Sequence, residues 1–124
     1  MIEIKNIYKK FGKLEVLNNI NLSFKKGECI ALIGPNGCGK TTLIKSILGM
    51  VIPTKGDILF DQKSILKEFE YRENIGYMPQ IGRYPDYMTV CQIIEMIKKI
   101  RNSEHVLDED LIKSFELEKI VDKQ

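Results

Sequence analysis

Ile2 and Ile4 alternate with Glu3 and Lys5, and Ile7 prolongs the pattern, so the chain opens on a strand with two unlike faces. Tyr8-Lys9-Lys10-Phe11-Gly12-Lys13 follows as a polar turn carrying two aromatics. Ile20, Leu22 and Phe24 then alternate with Asn21 and Ser23, the pattern of a half-buried antiparallel strand. Lys25-Lys26-Gly27-Glu28 turns the chain into Cys29-Ile30-Ala31-Leu32-Ile33, a continuous apolar run that predicts a buried strand. A helix is expected over Thr42-Leu43-Ile44-Lys45-Ser46-Ile47-Leu48, with Gly49 placed to stop it.

Pro53-Thr54-Lys55-Gly56-Asp57 reads as a turn before the strand Ile58-Leu59-Phe60, and Asp61-Gln62-Lys63 as a second turn. A short helix is expected from Ile65 to Arg72, then a strand over Ile75-Gly76-Tyr77-Met78 that Pro79 ends. Thr89-Val90-Cys91-Gln92 fits a capping box and opens a helix to about Ile100, with Val90, Ile93, Ile94 and Ile97 as its apolar stripe. A last helix starts near Asp108, with Leu107, Leu111 and Phe115 on one side. The order is a β-rich entry, a strand–loop–helix unit, a mixed α/β stretch and then helices.

The join between the apolar run and the first helix carries the chemistry. Gly34-Pro35-Asn36-Gly37-Cys38-Gly39-Lys40-Thr41-Thr42 fits the phosphate-binding pattern G-x-x-x-x-G-K-[ST] at Gly34, Gly39, Lys40 and Thr41. The glycines allow successive backbone N–H groups to turn inward on one anion. Lys40 adds a positive charge for β- and γ-phosphates, and the Thr41 hydroxyl is a hard oxygen suited to Mg²⁺. The helix that follows aims the positive end of its dipole at the same place. A strand before and a helix after are the context that such a loop requires.

Composition narrows the field without adding a site. The chain has 124 residues, 44% hydrophobic and 29% charged, with a formal charge of +2, as expected of one soluble domain. That balance gives no strong nucleic-acid footprint. No apolar stretch approaches the ~20 residues needed to span a bilayer, and the N-terminus lacks a signal peptide's apolar block. A cytoplasmic location is expected. The three cysteines are odd in number and widely spaced, so they suggest neither a zinc site nor a disulfide framework. Cys29 and Cys91 sit on apolar runs and read as small core residues. Cys38 lies in the loop beside Lys40 and is expected to be the most reactive thiol of the three.

Taken together, these residues resemble the ATP-binding domain of ABC transporters over the first three-quarters of the chain. The resemblance rests on the loop with Pro35-Asn36-Gly37 inside it, on Lys26-Gly27-Glu28 and on Pro53-Thr54-Lys55-Gly56-Asp57-Ile58. It rests also on Ile75-Gly76-Tyr77-Met78-Pro79-Gln80, which looks like the family's Q-loop, with Gln80 forty residues after Lys40. The stretch from Ile75 through Met96 is similar to ATPases of ABC-2-type exporters, and within these to the branch associated with copper-site assembly in nitrous-oxide reductase.

The resemblance implies an α/β, P-loop nucleotide hydrolase fold with an N-terminal antiparallel β subdomain and the start of a helical subdomain. Residues 1–87 would form the nucleotide-binding core and 88–124 the start of the helical part. ATP and Mg²⁺ are the implied cofactors. Gly34, Pro35, Asn36, Gly37, Cys38, Gly39, Lys40, Thr41 and Thr42 would surround the phosphates. Phe11 takes the place of the family's adenine-stacking aromatic, with Tyr8 as the other candidate, and Val16 either packs near the base or is core. Lys40 and Gln80 are the implied catalytic residues; Thr41 and Gln80 would reach the metal. Gln80 would also begin the loop that senses membrane subunits, with Tyr84, Pro85 and Tyr87 facing them.

The implied partners are transmembrane permease subunits and a second ATP-binding subunit, with no direct nucleic acid, at the inner face of the cell membrane. The family's LSGGQ signature, its apolar run ending in Asp-Glu and its γ-phosphate-sensing histidine have no counterpart in this sequence. Ile58-Leu59-Phe60-Asp61 imitates the start of such a run, but Gln62 follows; His105 is not placed to be the sensor. The expectation is the N-terminal part of an ABC ATPase domain, with the C-terminal part absent, that binds ATP without efficient hydrolysis. A soluble ABC-type ATPase acting on ribosomes or DNA, and a vestigial nucleotide-binding fragment, are the alternatives. A GTPase is disfavoured because no N-K-x-D motif occurs.

Overall fold

A computed structural model describes residues 1–101, 114 and 115. The chain divides into two compact units, Met1–Gly76 and Tyr77–Gln124. The first unit is built on a four-stranded antiparallel sheet in the order β2-β1-β3-β4. Its strands are β1 (Ile2–Phe11), β2 (Leu14–Phe24), β3 (Lys55–Phe60) and β4 (Lys63–Ser64). Helix α1 (Lys40–Ile47) packs against it.

The stretch Tyr8–Phe11, expected as a turn, continues β1. Its backbone is claimed on both sides. Lys9, Lys10 and Phe11 pair with Leu17, Glu15 and Leu14 of β2, while the Thr54 N–H donates to the Tyr8 carbonyl at 2.8 Å. The turn shrinks to Gly12-Lys13, and Lys55–Asp57, also expected as a turn, becomes the start of β3. Asp61 and Gln62 are both at positive φ (46° and 68°), the backbone of a tight hairpin whose twist suits the flanking strands β3 and β4.

The β1–β2 ladder is not regular. Its register shifts between Ile4 and Ile7, between Ile7 and Lys9, and again between Lys9 and Lys10. Asn6 and Asn19 sit at φ 51° and 48°, conformations that asparagine tolerates better than most residues. Between the pairs Lys9–Leu17 and Lys10–Glu15, Val16 is the extra residue. These bulges turn Ile4, Ile7 and Leu17 into one buried cluster with Leu43 of α1, Ile58 of β3, Ile65 and Tyr71. α1 ends in a Schellman arrangement: Gly49 N–H donates to the Ser46 carbonyl at 3.0 Å and Met50 N–H to Lys45 at 2.8 Å.

Four sequence expectations fail here. Cys29–Ile33 forms no strand, and Ile30, Leu32 and Ile33 are 50, 44 and 90% exposed. Ile75–Met78 forms none either, with Met78 91% exposed. A parallel strand is held by ladders to neighbours and by cover on both faces, and among the described residues the sheet offers these runs no ladder. Cys29 is therefore exposed; Cys91, which lies in the helix after Thr89, is half-buried, so neither is the core residue expected. The helix expected over Ile65–Arg72 is replaced by a turn and a 3₁₀ helix, Glu70–Asn74. Ser64 Oγ, 2.7 Å from Asp57 Oδ1, accepts from the Leu66 N–H at 3.3 Å and draws this stretch back onto β3.

In the second unit, α2 spans Val90–Arg101 and starts on the expected capping box. The Thr89 N–H donates to Gln92 Oε1 at 2.9 Å, and the Gln92 N–H returns to Thr89 Oγ1 at 3.3 Å. The helix expected from Asp108, with Leu107 and Leu111, lies outside the described residues, as does His105. Phe115 is described and 71% exposed.

Candidate functional site

α1 begins at Lys40, directly at the end of the glycine-rich loop, and its N-cap is Gly39 at φ 98° with no side-chain cap. A side chain at Gly39 would be both strained and obstructed. Its Cβ would lie 2.8 Å from the Val16 carbonyl oxygen and 3.0 Å from Leu17 Cδ2. The bulge at Val16 is thus what the loop rests on, and it sets the distance between β2 and the helix start.

Inside the loop, Lys40 Nζ donates to the carbonyls of Gly34 and Pro35, each at 2.7 Å, and lies 3.6 Å from Cys38 Sγ. The ammonium is therefore held at the centre of the loop by the loop's own backbone. A Cβ on Gly34 would come 2.9 Å from Cys38 Sγ, so Cys38 folds across the loop towards Gly34. The first helical bond is Leu43 N–H to the Gly39 carbonyl at 2.8 Å. Among the described residues, the N–H groups of Lys40, Thr41 and Thr42 have no carbonyl partner, as at any uncapped helix start. The helix start thus carries three N–H donors without a carbonyl partner, next to a loop that holds the Lys40 ammonium, and Thr41 is exposed. This arrangement suits an anion with several oxygens.

The β1–β2 hairpin supplies the neighbouring side chains. Val16 is half-buried, its Cγ1 3.3 Å from where a Gly39 Cβ would be, so it borders the loop. Phe11 ends β1 with half its surface exposed, and Tyr8 is half-buried further along the same strand. Gln80 lies in the second unit and is exposed. The first unit by itself therefore brings together the loop, Lys40, Thr41 and Val16, with Phe11 on the adjoining hairpin.

Two features had no sequence signal. One is a hollow of about 370 Å³ beside the loop, lined among others by Leu17, Ile20, Leu32, Ile33, Lys40 and Leu43. The other is the tie between Lys9 Nζ and the Ile52 carbonyl, 2.7 Å long across 43 residues of sequence. No local pattern in either segment announces a contact at that separation.

A family model described as "ABC transporter" matches residues 17–123. Over 128 aligned residues the chain is 38% identical to a zinc import ATP-binding protein of Rickettsia conorii, covering 97% of this chain and 51% of that protein. It is 44% identical over 89 residues to a sulfate/thiosulfate import ATP-binding protein of Pectobacterium atrosepticum, covering 72% of this chain and 27% of that one. A structure solved as the ATP-binding subunit of an ABC transporter superimposes with a TM-score of 0.82 at 25% identity, covering 97% of this chain and 52% of its own. The chain spans about half, or less, of the length of these proteins. A match that runs through the loop, the bulged strand beneath it and the second unit places this chain in the ABC transporter family, within its ATP-binding domain.

Proposed function

We propose that this chain supplies the phosphate- and base-binding part of an ATP-binding subunit that couples ATP hydrolysis to membrane transport. The observation that carries this reading is Lys40 Nζ held within the loop, at a helix start whose Lys40, Thr41 and Thr42 N–H groups have no carbonyl partner among the described residues. On ATP binding, Lys40 exchanges the carbonyls of Gly34 and Pro35 for phosphate oxygens, and the N–H groups take up the rest. Pro35, Asn36, Gly37, Cys38 and Gly39 shape the loop around them. Phe11 offers a ring face to adenine, and Val16 borders the base.

Thr41 Oγ and the Gln80 amide oxygen are hard ligands that fit Mg²⁺. Among the described residues no cluster of acidic, histidine or cysteine side chains is arranged to hold a metal by itself. Bound there, Mg²⁺ supplies charge neutralisation at the β- and γ-phosphates. Gln80 is assigned to orienting the attacking water. Residues 1–87 form the core in this reading, and the helical part starts at residue 88.

Permease subunits and a second ATP-binding subunit are the proposed partners. The exposed Tyr84 and Tyr87, 51 and 76% accessible, and the neighbouring Pro85 are the face offered to the permease. Among the described residues no helix is long and apolar enough to cross a membrane. The proposed location is cytoplasmic, peripheral at the inner membrane face through these partners.

Two outcomes test the reading. The 124-residue chain binds ATP more tightly than adenosine but releases no phosphate above background, since none of its residues matches the family's catalytic carboxylate or signature. Mg²⁺-dependent phosphate release that vanishes in Lys40→Ala contradicts this. In the second test, a maleimide modifies both Cys29 and Cys38, which are exposed. Mg·ATP slows the reaction at Cys38 only, and Cys38→Ser keeps ATP binding but loses its sensitivity to the reagent. Equal protection of the two cysteines, read by mass spectrometry of the labelled peptides, places the nucleotide elsewhere.

A further inference from the structure

Lys9 and Phe11 stand two residues apart on β1, so their side chains share one face of the strand. The Lys9 ammonium lies over the Phe11 ring, 4.9 Å from its centroid. The same ammonium donates to the Ile52 carbonyl at 2.7 Å. That carbonyl is itself fixed relative to β1: Thr54 N–H donates to the Tyr8 carbonyl at 2.8 Å, and Lys10 N–H donates to Thr54 Oγ1 at 3.2 Å. Phe11 is 50% exposed. It has no polar atom of its own with which to hold its ring in place.

We infer that Lys9 is a positioning residue for the base-binding ring of Phe11: held by the Ile52 carbonyl, it covers one face of the ring and presents the other to adenine. The inference rests on the reading of Phe11 as the adenine platform. Its physical content has two parts. The cation limits the ring's rotation about its side-chain bonds, so less freedom is lost when a base stacks. It also draws π density towards the covered face, which lowers the repulsion between the open face and the π cloud of a purine. A lysine here acts only on ligands that carry a base.

The test compares ATP, ADP and inorganic tripolyphosphate in titrations of the full chain. Lys9→Met keeps most of the stem and removes the charge. Its affinity for ATP and ADP falls by about twofold to fivefold, the range of an exposed cation–π contact, while tripolyphosphate binding is unchanged. Lys9→Arg, which can reach both the ring and the carbonyl, restores the adenine nucleotides. In a Phe11→Ala background Lys9→Met has no further effect, since the ring through which it acts is gone. An equal loss for tripolyphosphate and ATP makes Lys9 a merely structural tie and overturns the inference. Tighter ATP binding in Lys9→Met also overturns it, by showing that the ammonium occupies the face the base needs. If Phe11→Ala by itself leaves ATP and ADP binding unchanged, the platform reading fails instead.

Discussion

Replacing Lys40 by alanine weakens ATP binding about tenfold to a hundredfold, the effect of losing charge-assisted hydrogen bonds of about 1.5–3 kcal/mol. Adenosine binding changes little, because in the proposed reading the ammonium meets the phosphates and not the base. The fold survives the change. Among the described residues Lys40 Nζ bonds to the carbonyls of Gly34 and Pro35 and to Cys38 Sγ, all on exposed residues where water replaces it without leaving a buried orphan. Calorimetric titration with ATP and adenosine, beside a thermal melt of each variant, reads all three quantities. Equal losses for the two ligands would sink the assignment of the loop.

The second large effect concerns stability. Gly56 lies in β3 at φ 88°, and a Cβ there would collide with the carbonyls of Lys5 and Asn6 at the first β1 bulge. Gly27 has nearly the same φ, 85°, with nothing within 4 Å of its would-be Cβ. The two therefore separate strain from collision. Gly27→Ala costs about 1–2 kcal/mol for the left-handed backbone alone. Gly56→Ala adds the displacement of β1 from β3 and exceeds it by roughly 2 kcal/mol or more, as core collisions do. Denaturant unfolding of both variants decides the matter, and equal losses would mean that β1 and β3 separate there without cost.

The sequence made some of this structure legible and hid the rest for identifiable reasons. Ile2, Ile4, Ile20 and Phe24 announced β1 and β2 because alternation is a local signal, and Thr89 with Gln92 announced α2 because a capping box is complete within four residues. The loop leading into α1 was legible for the same reason, since Gly34, Gly39, Lys40 and Thr41 form a pattern complete within eight residues. The run Cys29–Ile33 was misread. Apolar residues encode a tendency to be covered, whereas a strand also needs a partner ladder that lies elsewhere in sequence. The bulges at Asn6, Asn19 and Val16 were hidden as well, since they depend on how two strands are matched. Val16 looked like either core or base contact; the structure adds that its carbonyl and Cγ1 lie against Gly39, a contact that no local pattern announces. Lys9 read as part of a polar turn, and neither its bond to the Ile52 carbonyl nor its place over the Phe11 ring has a local signal.

The loop is tethered unequally. On its far side it continues into α1, whose residues are packed on β2 and capped at Gly49. On its near side it continues into Cys29–Ile33, which no ladder holds among the described residues. A site with one firm end carries an entropic toll. In the proposed reading, ordering of that approach segment would offset part of the free energy of phosphate binding, relative to the same contacts on a loop held at both ends. Any interaction that pins Cys29–Ile33 beforehand removes that loss, and so tightens nucleotide binding without touching the nucleotide.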